Sequence, residues 1–379
     1  MEFRSLKKQY IANKEQIDSA IAKVINDTNF ISGSQVKELE EKLADYVGVR
    51  HCITCANGTD ALSLALMAWE IGAGDAVFVP DFTFFSSGEV VSFAGATPVF
   101  VDVDYDTCNI DPDKLEIAIQ SVLEDGTYRP RVIVAVDLFG QPADYNRIRP
   151  IADKYNLLVL EDGAQGFGGQ IGDKKACSFG DISTTSFFPM KPLGCYGDGG
   201  AVFTDNDEWA TLIRSYCVHG KGTMKYDNVR IGINSRLDTL QAAILLAKFE
   251  IFVNEEIKAV NEVADMYTKL FQEKANTGIK LPVVKNGFLS SWAQYTIKLE
   301  NREMRDKLQD YLKQHEIPTF VYYPKPMHKQ TAFEELGKIS LEQECSNTVR
   351  LSETVLSLPL SPYMSEEDVV DVCTYVCES

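Results

Sequence analysis

A lysine on a glycine-rich loop is the residue best placed for covalent chemistry. The β-prone run 184–188 ends at Pro189, which cannot donate a hydrogen bond to a neighbouring strand, and Lys191 follows at once. The glycines at 194, 197, 199 and 200 leave room beside this amine for a bulky planar group. Such a lysine can form a Schiff base with an aldehyde cofactor. A solvated lysine in a surface turn is the open alternative at this point.

A carboxylate follows another predicted strand in the sequence E-D-G-A-Q, residues 161–165. Because ligands of parallel sheets bind beyond the carboxyl ends of the strands, Asp162 is expected to point into a ligand crevice. A pyridinium N–H is a suitable partner for it, and a protonated ring acts as an electron sink. A helix cap or a metal ligand are the alternatives. We predict no metal, because the four histidines form no cluster with ligand spacing.

Two further loops lie at predicted strand ends. The sequence A-N-G-T-D, residues 56–60, opens a helix, where free N–H groups favour a phosphate. Gly58 in a simple turn, with Thr59 or Asp60 as a cap, is the alternative. Phe84 is placed to stack on a flat ring, although most of the four aromatic residues around it are expected to pack in the core.

The elements that must position these loops alternate regularly. Short apolar strands are predicted at 51–55, 76–80, 97–101, 132–136 and 157–160, separated by helices at 59–69, 85–93, 112–123 and 145–155. Helices at 6–24 and from Gln35 precede this series, and another is predicted at 207–216. This pattern predicts an α/β fold with a mainly parallel sheet covered on both faces.

The regular alternation of predicted strands and helices ends in the last third of the sequence. A long helix is predicted at 238–270, followed by strands at 293–299 and 319–323 and helices at 302–314 and 366–377. We therefore predict a large α/β domain with an N-terminal helical segment, residues 1–250, and a small C-terminal α+β domain, residues 251–379.

Composition limits the partners. The chain has 379 residues, a net charge of −18 and a pI of about 4.7, which argues against nucleic acids and anionic membranes as partners. The nine cysteines form no regular framework, and no stretch of the sequence is apolar enough to span a bilayer, so we expect a reducing cytoplasm. Cys52 and Cys55 resemble a redox or zinc pair, but we predict buried structural thiols.

Four motifs in order give the sequence a family resemblance: A-N-G-T-D-A-L, E-D-G-A-Q, S-F-F-P-M-K-P-L-G-C-Y-G-D-G-G-A and I-N-S-R-L-D-T-L-Q-A-A-I-L. The chain resembles the DegT/StrS family of nucleotide-sugar aminotransferases over nearly its whole length. The resemblance implies an aspartate-aminotransferase-like fold (fold type I) and pyridoxal 5'-phosphate (PLP) as cofactor.

The resemblance also implies roles for individual residues. Lys191 would carry PLP as a Schiff base and move the proton, and Asp162 would pair with the pyridine nitrogen. Gln165 would contact the ring hydroxyl and Phe84 would stack on the ring. The phosphate would be held by Gly58, Thr59 and Ser186, and by Asn234 from the neighbouring subunit of a homodimer with shared active sites. The residues expected near the substrate are His219, Arg236, Tyr323 and His328.

The expected reaction moves an amino group from L-glutamate to a keto group of a nucleotide sugar. The motifs look most like those of enzymes acting on UDP-2-acetamido-2-deoxy-3-oxo-glucuronate for surface polysaccharide such as O-antigen. Another 3-keto or 4-keto sugar is an alternative, as is a PLP-binding regulator without activity. Lysine rather than histidine at position 191 argues against the sugar dehydratases of the family. A dinucleotide-dependent epimerase would show G-x-G-x-x-G after the first strand, where this chain has A-N-G-T-D.

Overall fold

A seven-stranded sheet forms the centre of the computed structural model, which describes residues 1–224, 226–274, 278–334 and 345–378. The strand order in this sheet is β1-β9-β8-β5-β4-β2-β3. Two small sheets accompany it, β10-β6-β7 and β11-β12. The strands are β1 (His51–Cys55), β2 (Asp75–Pro80), β3 (Thr97–Val101), β4 (Arg129–Val136), β5 (Leu158–Asp162), β6 (Gln170–Ile171), β7 (Lys174–Lys175), β8 (Ile182–Ser186), β9 (Gly200–Thr204), β10 (Phe288–Leu289), β11 (Tyr295–Lys298) and β12 (Val355–Leu358).

The central sheet is parallel except for one strand. Strand β9 pairs antiparallel with both β1 and β8, so β1 and β8 run in the same direction. Every other neighbouring pair, from β8 through β5, β4 and β2 to β3, is parallel. The predicted α/β fold with a mainly parallel sheet is therefore confirmed, and the carboxyl ends of six strands lie at one edge.

Helices cover both faces of this sheet. Along β2, Val77 and Val79 pack into one apolar cluster with the helices Gly58–Ala68 and Ser86–Phe93, whereas Ala76 and Phe78 pack into another with the helices Pro112–Asp125 and Tyr145–Tyr155. The helices are α1 (Leu6–Ala12), α2 (Lys14–Asp27), α3 (Ser34–Val47), α4 (Gly58–Ala68), α5 (Ser86–Phe93), α6 (Pro112–Asp125), α7 (Tyr145–Tyr155), α8 (Asp207–Tyr216), α9 (Thr239–Ile251), α10 (Ile257–Glu273), α11 (Arg302–Gln314), α12 (Ser346–Thr354) and α13 (Glu366–Glu378).

A separate apolar cluster lies in the C-terminal part of the chain. It joins α10, α11 and α13 to the pair β11-β12, with Tyr267, Tyr295 and Leu358 fully buried in it. The long helix predicted at 238–270 is formed by α9 and α10, which are joined by a π-helical turn at Phe252–Glu256. The domain boundary after residue 250 stays a prediction.

Two predicted elements differ from the structure. The helix expected at 6–24 is divided at Asn13, whose side chain donates to the carbonyl oxygen of Gln9 (2.9 Å) and to the hydroxyl of Tyr363 (3.0 Å). The strand expected at 319–323 is reduced to one bridge between Phe320 and Ser357. Pro318 and Pro324 flank the segment and have no N–H, so they cannot extend the pairing on either side.

Two further expectations concerned the state of the cysteines and the presence of helices that could span a membrane. All nine cysteines are free, and Cys52 and Cys55 are buried as predicted, with the Cys55 thiol directed to the carbonyl oxygen of Asn57 (3.3 Å). Within the described ranges of the chain, no helix combines the length and apolar character needed to cross a membrane.

Candidate active site

The predicted site loops meet at one edge of the sheet. Gly200, the first residue of β9, pairs with Cys55 at the end of β1 and with Ser186 at the end of β8. Asp162, the last residue of β5, pairs with Thr184 of β8. These residues end β1, β5 and β8 and begin β9, which lies between β1 and β8. The segments that follow Cys55, Asp162 and Ser186 therefore start at the same edge of the sheet.

The lysine loop, residues 187–199, is held at both ends. Strand β8 ends at Ser186, two residues earlier than the sequence predicted. The Phe187 N–H still donates to the carbonyl oxygen of Gly199 (2.8 Å), but the Phe187 carbonyl oxygen accepts from the Cys195 N–H inside the loop (2.8 Å) and so leaves the pairing with β9. The Lys191 N–H donates to the carbonyl oxygen of Phe188 (2.8 Å), which closes a tight turn around the lysine. Helix α9 also holds the loop, since the amine of its buried residue Lys248 donates to the carbonyl oxygen of Gly194.

The Lys191 amine and the Asp162 carboxylate interact in a desolvated environment. Burial lowers the pKa of Lys191, and the charge of Asp162 partly offsets this effect. Burial also raises the pKa of Asp162, against the opposing effects of the Ser87 hydroxyl and Lys191. A lowered pKa leaves more of the lysine as the neutral amine, which is the nucleophilic form.

Asp162 is fixed by two donors. The Ser87 hydroxyl donates to Oδ2 (2.8 Å) and the Ala164 N–H donates to Oδ1 (3.2 Å), while the residue is only 5% exposed. Ser87 lies in the first turn of α5, and its own hydroxyl is 3.1 Å from that of Thr83. The sequence-based interpretation missed Ser87, although its position just after the aromatic run at 82–85 marks the loop that follows β2.

Gln165, Tyr323 and Phe84 form a connected group. Gln165 Nε2 donates to the Tyr323 hydroxyl (3.1 Å), and its Oε1 accepts from the Phe139 N–H (2.8 Å). The ring of Tyr323 lies 6.2 Å from that of Phe84. Phe84 is 54% exposed, so a face of its ring is open, and its stacking on a flat ring stays a prediction. Burial raises the pKa of the Tyr323 hydroxyl well above its usual value.

The start of α4 forms a cradle with β8. Asn57 caps the helix by accepting the Asp60 N–H (2.8 Å), while the N–H groups of Gly58 and Thr59 have no acceptor among the described residues. A Cβ at Gly58 would lie only 2.8 Å from the Ser186 Cβ, so a larger residue would fill this space. The Thr59 hydroxyl lies 2.9 Å from that of Ser86. Free N–H groups at a helix N-terminus, with hydroxyls around them, are suited to an anion.

His328 lies at the neighbouring strand end and is fixed by Asp81, which the sequence-based interpretation did not identify. Asp81 directly follows β2 and accepts from the His328 N–H (2.8 Å), and its other oxygen is 2.6 Å from the ring Nδ1. Among the described residues, Asp81, His328 and Cys345 are the one group whose ligand atoms lie close enough together for a metal ion, within 4.8 Å. The Asp81 and His328 atoms are at a hydrogen-bonding separation, so the pair has a structural explanation without a metal.

The remaining three predicted residues lie on the surface. His219, Asn234 and Arg236 are exposed, and the Arg236 guanidinium donates to Asn234 Oδ1 (2.8 Å). The chain around them is ordered by backbone bonds, such as that from the His219 N–H to the carbonyl oxygen of Ile233 (2.9 Å). Within the described part of a single chain, these side chains make no hydrogen bond to the other predicted site residues.

The fold and this arrangement define a class of protein: an α/β enzyme with a desolvated lysine facing a buried carboxylate beside an anion cradle. Comparison with known families agrees, since the chain belongs to the DegT/DnrJ/EryC1/StrS aminotransferase family, whose model matches residues 12–377. The predicted enzyme class, a transaminase of nucleotide-linked sugars, is thereby confirmed.

Particular relatives resemble nearly the whole chain. It is 44% identical over 374 residues to the UDP-2-acetamido-2-deoxy-3-oxo-D-glucuronate aminotransferase of Pseudomonas aeruginosa, covering 98% of each chain. A family member of known structure from Brucella abortus is 45% identical, with a TM-score of 0.95 and 99% and 98% of the two chains covered. NtdA of Bacillus subtilis, solved with bound PMP, is 30% identical, with a TM-score of 0.86 and 100% and 83% covered. The predicted cofactor, PLP with its amino form PMP, is thus confirmed for the family.

The residues present fit this cofactor. Asp162 is a buried acceptor for a ring N–H, Lys191 is a desolvated amine, and the space at Gly58 suits a phosphate group. When bound, PLP supplies an electron sink for the carbon that carries the amino group. In such a complex Asp162 would hold the ring nitrogen in its protonated form, and the Lys191 amine would be the group placed to move the proton.

Proposed function

We propose that this chain is a PLP-dependent aminotransferase that moves the amino group of L-glutamate to the 3-keto group of UDP-2-acetamido-2-deoxy-3-oxo-glucuronate, for surface polysaccharide. The observation that carries the proposal is the half-buried Lys191 beside the buried Asp162 carboxylate at the carboxyl edge of the sheet, where desolvation lowers the pKa of the amine. The sugar is chosen because the relative from Pseudomonas aeruginosa, named for that substrate, is similar over the whole chain.

Each residue has a role in this proposal. Asp162 holds the ring nitrogen, while Ser87 orients the carboxylate by its 2.8 Å hydrogen bond. Gln165 contacts the ring hydroxyl and is itself held by Phe139 and Tyr323. The Lys191 amine carries the cofactor at rest and then transfers the proton at the reacting carbon. The phosphate is bound by Gly58, Thr59 and Ser186, and Phe84 stacks on the ring.

The substrate carboxylates need local cations on a chain of net charge −18. Arg236 is exposed and adjacent to Asn234, and a guanidinium binds a planar carboxylate through two parallel hydrogen bonds. We assign it to the uronate carboxylate of the sugar. His219, Tyr323 and His328 complete the substrate side, and the bond to Asp81 fixes the ring of His328.

The working unit in this proposal is a homodimer with shared sites. The segment before Asn234 exposes Met224 (68%), Tyr226 (86%), Val229 (54%) and Ile231 (90%), an apolar surface of the kind that an interface covers. A second copy seated on this segment would bring Asn234 and Arg236 to its neighbour's cofactor and substrate. The nine unpaired cysteines favour the cytoplasm as the compartment.

The test is transfer of label from glutamate. The purified protein, with PLP, is incubated with ¹⁵N-labelled L-glutamate and UDP-2-acetamido-2-deoxy-3-oxo-glucuronate, and the product is identified by mass spectrometry. We expect labelled 3-amino uronic acid sugar and loss of the near-visible absorbance band when glutamate is added alone. Faster transfer to an uncharged 3-keto or a 4-keto sugar would contradict the substrate, and an absorbance band that glutamate does not change would contradict the reaction.

A further inference from the structure

Two buried acids lie directly behind the site and have no role in the reaction proposed above. Asp137 follows strand β4, and Glu161 precedes Asp162 on β5; both are 0% exposed. The Asp137 N–H also donates to the carbonyl oxygen of Asp162 (3.0 Å), so the pair is joined to the catalytic strand end. Two carboxyl groups without a cation beside them cannot both stay ionised in a dry interior.

Glu161 has the donors to hold the negative charge. Its Oε1 accepts the Cys177 N–H, and its Oε2 accepts the Phe179 N–H (2.7 Å), the Gly180 N–H (3.1 Å) and the Ser183 hydroxyl (2.7 Å). Four donors favour the charged form of a carboxyl group strongly. The proton of the pair therefore resides on Asp137.

Asp137 has one oxygen with donors and one without. Its Oδ1 accepts the Ala143 N–H (2.9 Å) and the Tyr145 hydroxyl (2.8 Å), whereas its Oδ2 is buried and has no donor among the described residues. The side chains of Asp137 and Glu161 interact with each other, and burial, followed by the charge of Glu161, raises the pKa of Asp137. Protonated at Oδ2, Asp137 donates to Glu161 and both acids are satisfied.

The same carboxyl group occupies the side-chain space of residue 166. A Cβ built on Gly166 would lie 2.4 Å from the Cβ and 2.4 Å from Oδ2 of Asp137. Gly166 has no positive φ, so space rather than conformation requires a glycine there. The turn that contains it, residues 163–166, carries Gln165 and starts directly after Asp162.

We propose that Asp137 is a positioning residue of this enzyme: its carboxyl group joins Glu161 to the loop 137–143, packs in place of a side chain at Gly166, and so fixes Asp162 and Gln165. The proposal rests on the proposed function, since it gives those two residues their roles. The loop 137–143 contacts Gln165 directly, through the Phe139 N–H on its Oε1. Movement of this loop therefore moves the residues that hold the cofactor ring.

Four variants test this proposal. Asp137→Asn keeps the volume and can donate from its amide to Glu161, so we expect activity within a few-fold of the wild type. Asp137→Ala and Gly166→Ala should each lower kcat by about 10²-fold with little change in KM for glutamate, because about 1 Å of misplacement costs that much. The double variant Asp137→Gly, Gly166→Ala removes the Asp137 side chain that the added methyl group at position 166 would contact. It should therefore recover part of the loss of kcat seen in Gly166→Ala. The control is Asp144→Ala, which removes an ion pair with Lys285 in the same region and should leave kcat unchanged.

A second measurement does not depend on activity or cofactor. Infrared difference spectra of the cofactor-free protein, wild type minus Asp137→Asn, should show the carbonyl stretch of a protonated carboxylic acid. This arm also applies if Asp137→Ala does not fold. Absence of the band, an Asp137→Asn variant as impaired as Asp137→Ala, or a folded Asp137→Ala with normal kcat would each overturn the proposal. Failure of the proposed function would look different, because the wild type itself would not respond to glutamate.

Discussion

Replacing Asp162 by asparagine removes the charge of the carboxylate with little change in volume. The carboxylate is 5% exposed, accepts from Ser87 (2.8 Å) and Ala164 (3.2 Å), and interacts with the charge of Lys191. An asparagine amide has a single acceptor oxygen, so it can accept only one of these two bonds in place, and it cannot keep a ring nitrogen protonated. Truncating one partner of a buried, hydrogen-bonded charge pair costs about 2–5 kcal/mol. At about 1.4 kcal/mol per factor of ten, we expect the rate to fall by about 30- to 4,000-fold.

The assay is the glutamate half-reaction, followed as the decay of the near-visible absorbance band after rapid mixing. Ser87→Ala is the matched variant, because it keeps the carboxylate and removes only its hydroxyl donor. Loss of one such hydrogen bond to a charged group costs about 1.5–3 kcal/mol, so its rate should fall by about ten- to a hundredfold, less than in Asp162→Asn. Two results would refute the assignment of Asp162 as the ring partner. One is a rate for Asp162→Asn within a few-fold of the wild type, and the other is a rate for Ser87→Ala that is lower than that for Asp162→Asn.

The same substitution has an opposite effect on stability. The pKa of Asp162 is raised in the folded protein, mainly by burial, so between its ordinary and its raised pKa the folded state binds more protons than the unfolded state. Stability from this group is therefore present in acid and is lost as pH rises through the folded pKa. We expect the cofactor-free Asp162→Asn protein to have a Tm equal to or above the wild type at neutral pH, with the difference closing in acid. A lower Tm for the variant across the whole range would contradict this sign.

Three further substitutions test the other parts of the site. Lys191→Ala should abolish turnover while the fold is kept; borohydride reduction of the wild type should fix the cofactor on Lys191, and a label on another lysine would contradict the assignment. Gly58→Ala places a Cβ 2.8 Å from that of Ser186, so equilibrium dialysis should show weaker PLP binding, and unchanged affinity would argue against the cradle. Arg236→Ala should raise KM about tenfold or more for the uronate sugar but little for its uncharged analogue. Mixed with Lys191→Ala it should regain activity in heterodimers, and equal losses without complementation would contradict both the carboxylate role and the shared site.

The sequence predicted the central sheet because its signals are local. Strands β1 to β5 are short, largely apolar runs next to helices with apolar residues at helical spacing, and their bounds agree with the prediction within a few residues. Lys191 and Asp162 could be found for the same reason, since a charged residue beside glycines at a strand end is visible in a few adjacent letters. The early end of β8 could not be found in this way, because it depends on the bond from the Cys195 N–H to the Phe187 carbonyl oxygen within the loop.

Support for the site comes from residues far apart in the chain, which sequence spacing does not reveal. Ser87 reaches Asp162 across 75 positions, and Asp81 meets His328 across 247. A serine in the first turn of a helix is an ordinary residue, and so is an aspartate after a strand. Only the order of strands in the sheet, with β4 between β2 and β5, determines which of these loops become neighbours.

Asp137 and Gly166 show why a glycine without positive φ is hard to interpret from sequence. A glycine is usually explained by its conformational freedom, yet at Gly166 the reason is a side chain from another strand end, 2.4 Å from where a Cβ would be. The sequence contains both residues, but no local pattern links them, and an aspartate after an apolar strand suggests a ligand rather than a buried proton donor. The role of Asp137 becomes visible only when the space beside Gly166 and the four donors around Glu161 are considered together, because one explains its position and the other its protonation.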